Sequence, residues 1–187
     1  MSFWTEATSE PKRNFRFQVQ IIGFDSDSIV WWAKNFKTPS YDVSETTHDY
    51  LDNKYYFPGR LTWADCTMTL VDPVSPNAAA LTNTIILNSG YNVKGQNTTP
   101  STMGKANSVA AVGSVITTIF NADGEEIEKW TLQNPFLKGV TYSTLDYAND
   151  ELRTIDLTWR YDWAECDNAK EAKAAFRDQF RVPPSTT

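Results

Sequence analysis

The segment Tyr55–Asp72, YYFPGRLTWADCTMTLVD, is the most informative stretch for the fold of this chain. It begins as an aromatic run, breaks at Pro58-Gly59, and continues with apolar residues at alternating positions, which predicts a β-strand. The alternation slips by one residue near Asp65, which indicates a β-bulge or a twist. The segment resembles a loop that leads into a strand, and it contains no catalytic motif.

The same alternation of apolar and polar residues predicts strands along most of the chain. They cover residues 15–21, 29–37, 61–71, 109–120, 126–132, 136–145 and 152–163, and a further strand begins at Tyr41. Asp123-Gly124 lies between two apolar runs and predicts a hairpin. A helix is expected after Pro73, with Ser75 as N-cap and Pro76 in the first helical position.

These elements favour a mainly β fold. It is expected to be a β-sandwich or partly open antiparallel barrel with one flanking helix. Asn168 and Glu171 form a capping-box pattern that predicts a short C-terminal helix. The expected organisation is an N-terminal arm (1–14), a β domain (15–166) with long loops at about 44–60 and 91–108, and a C-terminal helix and tail (167–187).

The last predicted strand has the clearest alternation. Its apolar residues, expected to form a buried row, are Ile155, Leu157, Trp159, Tyr161 and Trp163. The polar residues between them, expected on the opposite face, are Asp156, Thr158, Arg160 and Asp162. Because side chains alternate between the two faces of a strand, this strand is expected to be central in the sheet.

Composition narrows the possible functions. The formal net charge is −6 and the sequence pI is about 4.8, so stable binding of nucleic acid is not expected. The longest apolar run, Ile29–Ala33, is far shorter than a membrane-spanning helix, and no secretory signal is expected at the N-terminus. Cys66 and Cys166 are expected to be reduced.

No catalytic, cofactor or metal site is expected. The single histidine, His48, lies in a polar stretch, and neither zinc-ligand spacing nor a calcium loop is present. The carboxylates Glu125, Glu126 and Glu128 are interpreted as a solvated strand face, not as a glycosidase pair. Sugar binding by stacked Trp and Tyr in a β-sandwich module remains an alternative.

Four segments carry a family resemblance. Lys37–Val43 (KTPSYDV), Tyr56–Trp63 (YFPGRLTW), Thr67–Pro73 (TMTLVDP) and Ile155–Trp163 (IDLTWRYDW) together resemble the tail tube proteins of contractile-tailed bacteriophages. This family is related to the tube proteins of type VI secretion and of pyocins. The resemblance spans residues 15–163, whereas the 91–108 stretch and the tail after Cys166 depart from it.

The resemblance implies a structural virion protein and no enzyme. Six copies would form a ring with a shared inner β-barrel, and rings would stack into a tail tube inside the sheath. The implied partners are other copies of the chain, the tail sheath protein, the baseplate tube initiator and a tape measure protein in the lumen. DNA would pass during genome ejection without stable binding. The implied location is the phage tail, assembled in the host cytoplasm; a baseplate tube initiator or the tube of a phage-derived injection system is the alternative.

The region 44–60 is expected to mediate contacts between neighbouring subunits. It is a long polar stretch that ends in aromatic residues, where a monomer would have a short turn. The candidate interface residues are Glu45, His48, Tyr50, Tyr55, Tyr56, Phe57, Pro58 and Arg60.

Overall fold

The computed structural model describes residues 11–23, 33–75, 77–91, 102–148 and 150–167. Within these ranges the chain forms strands for most of its length, and the prediction of a mainly β fold is confirmed. The elements are β1 (Phe17–Ile21), β2 (Ala33–Phe36), β3 (Tyr41–Tyr50), β4 (Asn53–Trp63), β5 (Cys66–Val71), α1 (Ala78–Asn88), α2 (Lys105–Val112), β6 (Val115–Phe120), β7 (Glu126–Gln133), β8 (Phe136–Tyr142), β9 (Thr154–Arg160) and β10 (Trp163–Cys166).

The strands form two four-stranded antiparallel sheets and a separate hairpin. The first sheet has the order β1-β6-β7-β10, and the second has the order β2-β5-β9-β8. Among the described strands, β3 and β4 pair only with each other. The predicted Asp123-Gly124 turn joins β6 to β7, and Gly124 has a positive φ of 82°, which glycine adopts readily.

One hydrophobic core lies between the two sheets. Val19 and Leu132 contribute to it from the first sheet, and Met68, Leu157 and Trp159 contribute from the second. Trp159 is fully buried in the second sheet's central strand β9. The alternation of buried and exposed residues along β5 and β9 therefore gives the second sheet one apolar face and one polar face.

The first helix begins later than the sequence pattern predicts. Asn77 is its N-cap, with an extended backbone and a side chain that accepts a hydrogen bond from the Ala80 amide at 2.9 Å. The assignment of Ser75 as N-cap is therefore wrong, and Pro76 lies outside the described residues. Both residues fit the statistics of helix starts, but the carboxamide of Asn77 satisfies the free amide of the first turn.

A second helix occupies residues that the sequence assigned to a loop and to the start of a strand. Helix α2 covers Lys105–Val112, and Gly113, at φ 70°, ends it before β6 begins at Val115. The run of apolar residues from Val109 to Phe120 looked like one strand, because the positive φ at Gly113 that divides it is not visible as a change in hydropathy.

The last predicted strand is divided between the two sheets. Strand β9 ends at Arg160, the chain bends at Asp162, and β10 then pairs with β7 of the first sheet. The Asp162 carboxylate accepts hydrogen bonds from Lys105 and Asn134, and its amide donates to the Gln133 carbonyl at 3.1 Å. These contacts hold the bend.

Because of this bend, two residues that were assigned to the faces of the last predicted strand lie elsewhere. Ile155, Leu157, Trp159 and Tyr161 are buried, but Trp163 is 44% exposed and does not continue their row. Asp162 likewise does not belong to the polar face of β9. The predicted C-terminal helix after Asn168 and residues 29–32 of the second predicted strand lie outside the described residues.

Candidate assembly surfaces

The hairpin β3–β4 occupies most of the stretch that the sequence assigned to a long loop at 44–60. The strands pair from Tyr41–Trp63 at the base to Tyr50–Asn53 at the tip, with an irregularity between Val43 and Glu45. The loop assignment is therefore wrong. Every residue from Ser44 to Arg60 is exposed, so the sequence of this part of the hairpin shows no alternation of apolar and polar residues.

Ser44 and Gly59 fit together at the irregularity. The Ser44 hydroxyl accepts a hydrogen bond from the Arg60 amide at 2.9 Å and donates one to the Arg60 carbonyl at 3.3 Å. A Cβ atom added to Gly59 would overlap Ser44 Oγ, so a larger residue at this position would displace the Ser44 hydroxyl from its hydrogen bonds with Arg60. The Pro58-Gly59 pair thus belongs to a strand irregularity and does not form a turn.

Both strands of the hairpin expose large apolar side chains along their length. The exposed ones, from base to tip and back, are Tyr41, Val43, Tyr50, Leu51, Tyr55, Tyr56, Phe57 and Leu61. A two-stranded hairpin on its own is marginally stable in water, and a contiguous exposed apolar surface marks an interaction site. The hairpin therefore has the composition of an element that needs a partner.

The predicted interface residues all lie on this hairpin and are exposed, and the register divides most of them between its two faces. Directly paired residues share a face. The pairs Thr46–Phe57, His48–Tyr55 and Tyr50–Asn53 put the aromatic candidates His48, Tyr50, Tyr55 and Phe57 on one face. The other face carries the pairs Glu45–Pro58 and Thr47–Tyr56. Arg60 lies next to the irregularity, where its backbone amide and carbonyl form hydrogen bonds with the Ser44 hydroxyl.

The tip of the hairpin is a two-residue turn formed by Leu51 and Asp52. Leu51 has a positive φ of 52° and is 85% exposed. The first position of such turns usually takes glycine, because a side chain is strained there. Asp49 and Asp52 flank the leucine, so the tip combines an exposed apolar side chain with two carboxylates.

The base of the hairpin is attached to the body by aromatic packing. Trp63 is half-buried, and its ring lies 5.2 Å from the Tyr41 ring in a T-shaped arrangement and 5.9 Å from the Tyr161 ring. The Ala64 amide donates to the Ser40 carbonyl at 2.9 Å, which closes the base. The slip of the pattern near Asp65 is thus the point where the chain leaves β4 and enters β5.

A charged cluster surrounds Asp65 at this crossing. Lys138 Nζ donates to Asp65 Oδ2 at 2.6 Å, and Arg160 Nη1 donates to Asp65 Oδ1 at 2.9 Å. Arg160 Nη1 also donates to the Trp63 carbonyl at 2.9 Å. The hydrogen bonds from Lys138 and then Arg160 lower the pKa of Asp65 below its ordinary value.

The outer face of the second sheet is rich in hydroxyl groups. Asp156 is exposed on β9, accepts a hydrogen bond from Thr69 Oγ1 at 2.5 Å and lies opposite Thr141 on β8. Thr158 lies between Thr67 on β5 and Gly139 on β8. The middle of this face therefore carries small polar side chains and a carboxylate. At its ends lie the half-buried Val71 and Phe136, and Arg160, which donates hydrogen bonds to Asp65 and the Trp63 carbonyl.

Each sheet also has open edges. In the part of the chain that the structure describes, β1 and β10 end the first sheet, and β2 and β8 end the second. Open edges present unpaired backbone groups, and natural proteins either protect such edges or pair them with another strand.

The described residues offer little for catalysis or metal binding. His48 is exposed on the hairpin, where it pairs with Tyr55. No group of three or more His, Cys, Asp or Glu side chains in the described ranges could hold a metal ion. No helix in those ranges is long and apolar enough to span a bilayer. Cys66 is buried, Cys166 is half-buried, and both are free.

Solved structures share this fold, although no protein-family model and no curated protein sequence matches the chain. A chain of the sheath–tube complex of an extracellular contractile injection system (PVC), in the extended state, is 16% identical with a TM-score of 0.59. The match covers 89% of this chain and 98% of that chain.

Two chains from the anti-feeding prophage are also similar. One, from the baseplate, is 12% identical with a TM-score of 0.59 and coverages of 84% of this chain and 95% of that chain. The other, from the tube-terminating cap, is 18% identical with a TM-score of 0.54 and coverages of 84% and 91%. The resemblance to tail tube proteins is thus confirmed at the level of the fold.

Proposed function

We propose that this chain is a structural subunit of a hollow tube in a contractile phage tail or a phage-derived injection system. The observation that carries the proposal is the hairpin β3–β4, whose strands expose aromatic residues on both faces and pair with no other described strand. A neighbouring copy of the chain would bury these residues. The structural similarity to chains of contractile injection systems supports this function.

Ring closure would use the open sheet edges. Six copies would join edge to edge, so that one sheet of every subunit contributes to a shared inner barrel. The second sheet suits the inner wall, because the middle of its outer face has Thr67, Thr158 and Asp156, and the apolar Val71 and Phe136 at the ends of this face are half-buried. Closure would remove the edges that otherwise risk aggregation.

The chemistry of that face fits a conduit. Hydroxyl groups and the Asp156 carboxylate offer no cluster of cations to phosphate groups, and carboxylates repel them. DNA and, before it, a tape measure protein would pass through the lumen without stable binding. The tail sheath protein would surround the tube, and a baseplate tube initiator would start it. The assembled tube would belong to the virion tail, built in the host cytoplasm.

A tube initiator of the baseplate is the alternative within the same class, and the likeness to an anti-feeding prophage baseplate chain favours it equally. Sugar binding by a tryptophan platform has less support. Trp159 is buried in the core, and Trp63 and Trp130 are half-buried. Among the tryptophans that the structure describes, only Trp163 is exposed, whereas a sugar platform needs an accessible aromatic face.

Shortening the hairpin tests the proposal. Removing Thr46–Phe57 and joining Glu45 to Pro58 through Asn-Gly keeps the base pairs Tyr41–Trp63 and Val43–Leu61. Sedimentation at rising concentration is expected to pellet the unmodified protein as tubes and leave the shortened protein in solution as folded monomers or single rings. Tubes formed equally by the shortened protein would reject the role of the hairpin.

A further inference from the structure

A groove of about 500 Å³ lies where the edge of the first sheet meets the edge of the second. Its apolar floor is formed by Phe17 of β1, Phe36 of β2 and Ile119 of β6. Basic residues, Lys12, Arg13, Lys34 and Lys37, line the same groove. The groove therefore combines apolar and cationic groups, although the protein as a whole is acidic.

The buried side of the groove contains a polar group without a partner. Thr117 lies in its wall and is 2% exposed, and among the residues that the structure describes its hydroxyl has no hydrogen-bond partner. Leaving a buried hydroxyl unpaired costs free energy.

The charges of the groove are largely uncompensated. Lys12 forms an ion pair with Glu128. In the part of the chain that the structure describes, Arg13, Lys34 and Lys37 have no carboxylate partner in an ion pair. An occupant that matches this groove would present carboxylates around an apolar or aromatic side chain.

The hairpin tip has this composition. Leu51 and Tyr50 are the exposed apolar and aromatic groups, and Asp49 and Asp52 flank them. The carboxylate of Asp49 lies 3.9 Å from Lys54 Nζ and remains largely exposed, so it is available for a second cation. The strained backbone at Leu51 holds an apolar side chain in water, a cost that contact with a partner would offset.

The tip does not reach the groove of its own chain. Lys37 lies four residues before β3 begins at Tyr41, so the groove is close to the base of the hairpin. A ten-residue strand such as β3 extends its tip roughly 33 Å from that base. The occupant therefore comes from a second copy, and a contact between two different surfaces can repeat without limit and build stacked rings or a fibre.

We propose that the hairpin tip Asp49–Asp52 of one subunit docks in the groove of another, with Leu51 on the apolar floor and the two aspartates against Arg13 and Lys37. The proposal rests on the proposed function, and it identifies the surface that receives the hairpin. In this arrangement the tip of one hairpin binds next to the base of the hairpin of another subunit.

Charge exchange tests the pairing. Arg13→Glu with Lys37→Glu reverses the charge of the groove, and Asp49→Lys with Asp52→Lys reverses the charge of the tip. Either reversal is expected to raise the concentration for half-maximal sedimentation by about tenfold or more. A chain with all four substitutions is expected to assemble within about threefold of the unmodified protein, because opposite charges again face each other. Asp123→Lys, at another exposed turn, serves as the control and is expected to have no effect.

A cross-link tests the pairing without requiring tubes. One protein carries Leu51→Cys, a second carries Phe36→Cys, and both contain Cys166→Ser; Cys66 remains buried. Oxidation of the mixture is expected to give a disulfide-linked dimer that neither protein gives alone. Val74→Cys in place of Leu51→Cys is the control, because Val74 is exposed elsewhere.

The outcomes separate the two proposals. Rescue and cross-linking support the docking, and a cross-link without tubes supports the docking while rejecting the tube. Tubes with neither rescue nor cross-link reject the docking and leave the tube function standing. Reversing the charge of the groove can abolish assembly without rescue by reversal of the tip and without a cross-link. This outcome also rejects the docking, because the groove then binds something other than the tip.

Discussion

Arg160 Nη1 donates to Oδ1 of Asp65 at 2.9 Å, and this contact joins the central strand β9 to the point where the chain leaves the hairpin. The same nitrogen donates to the Trp63 carbonyl, and Lys138 donates to the other Asp65 oxygen. The cluster therefore fixes the base of the hairpin relative to the second sheet. If the hairpin connects subunits, the cluster also sets the direction in which it projects.

Asp65 is expected to make the stability of the monomer depend on pH. Its pKa is below the ordinary 3.8, because Lys138 and then Arg160 donate hydrogen bonds to the carboxylate. A depressed pKa adds stability that is present above the unfolded-state value and is lost as the pH falls through the folded-state value. Thermal melts of Asp65→Asn are therefore expected to lose less stability than the unmodified protein as the pH falls below about 4.

At pH 7 the same substitution is expected to cost about 1 kcal/mol, because solvent screens both partly exposed cations. Lys54→Gln, which removes a long and exposed ion pair with Asp49, is the control and is expected to change little. If the melting temperatures of Asp65→Asn and the unmodified protein fall equally with decreasing pH, Asp65 is not the source of the pH dependence.

The two faces of β9 are expected to differ in their effect on folding. Trp159 is fully buried, so Trp159→Ala should lower the free energy of unfolding by about 3–5 kcal/mol. Asp156 is exposed, so Asp156→Ala should cost less than about 1 kcal/mol. Thermal melts of both variants under conditions that keep the protein monomeric check the prediction. If Asp156→Ala melts normally but fails to form rings, the polar face is a subunit interface and not a lumen.

Much of this fold could be predicted from sequence, because burial leaves a pattern. Strands β5 and β9 alternate between core and solvent, and the Asp-Gly turn marks the β6–β7 hairpin. The failures have a common physical origin. Strands β3 and β4 have almost no buried face in the monomer, so their residues resemble a loop. Their regularity comes from backbone pairing, which hydropathy does not record.

The other failures concern changes of direction. Gly113 ends a helix inside an apolar run, and Asp162 bends the chain between two sheets inside an alternating run. The first depends on the backbone conformation of one glycine, and the second depends on contacts between residues far apart in sequence, such as the Lys105–Asp162 ion pair. The groove was also not predicted, because Phe17, Phe36 and Ile119 belong to three separate strands. The alternation along each strand is the only sequence signal that these three side chains face the interior between the sheets.

Leu51→Gly is expected to separate assembly from stability. Glycine adopts the positive φ without strain, so the monomer should be as stable as the unmodified protein or more stable by up to about 1 kcal/mol. Assembly should weaken, because the exposed side chain is lost. Leu51→Met retains an apolar side chain and is expected to retain assembly. Chemical unfolding and sedimentation measure the two effects; tubes of Leu51→Gly as stable as the unmodified ones would exclude the leucine from the contact.

The charge at Asp156 is expected to control whether assembled protein binds DNA. Unmodified tubes should not retain duplex DNA at physiological salt, because the proposed inner wall has hydroxyl groups and a carboxylate. Asp156→Lys repeats one cation in every subunit along the lumen and should produce retention that falls steeply with salt. Asp123→Lys changes the net charge equally at a turn and serves as control. Equal retention by both lysine variants in a filter-binding assay would place Asp156 outside the lumen.

The central claim is that copies of this chain form a hollow tube, and electron microscopy of the purified protein tests it most directly. Negative staining over a range of concentrations is expected to show rings and then long tubes with a stain-filled channel, whose cross-section averages to six subunits. The shortened hairpin variant should show no tubes at the same concentrations, although rings closed through the sheet edges can still form. Uniform monomeric particles of the unmodified protein at every concentration, with a normal thermal melt, would contradict the claim.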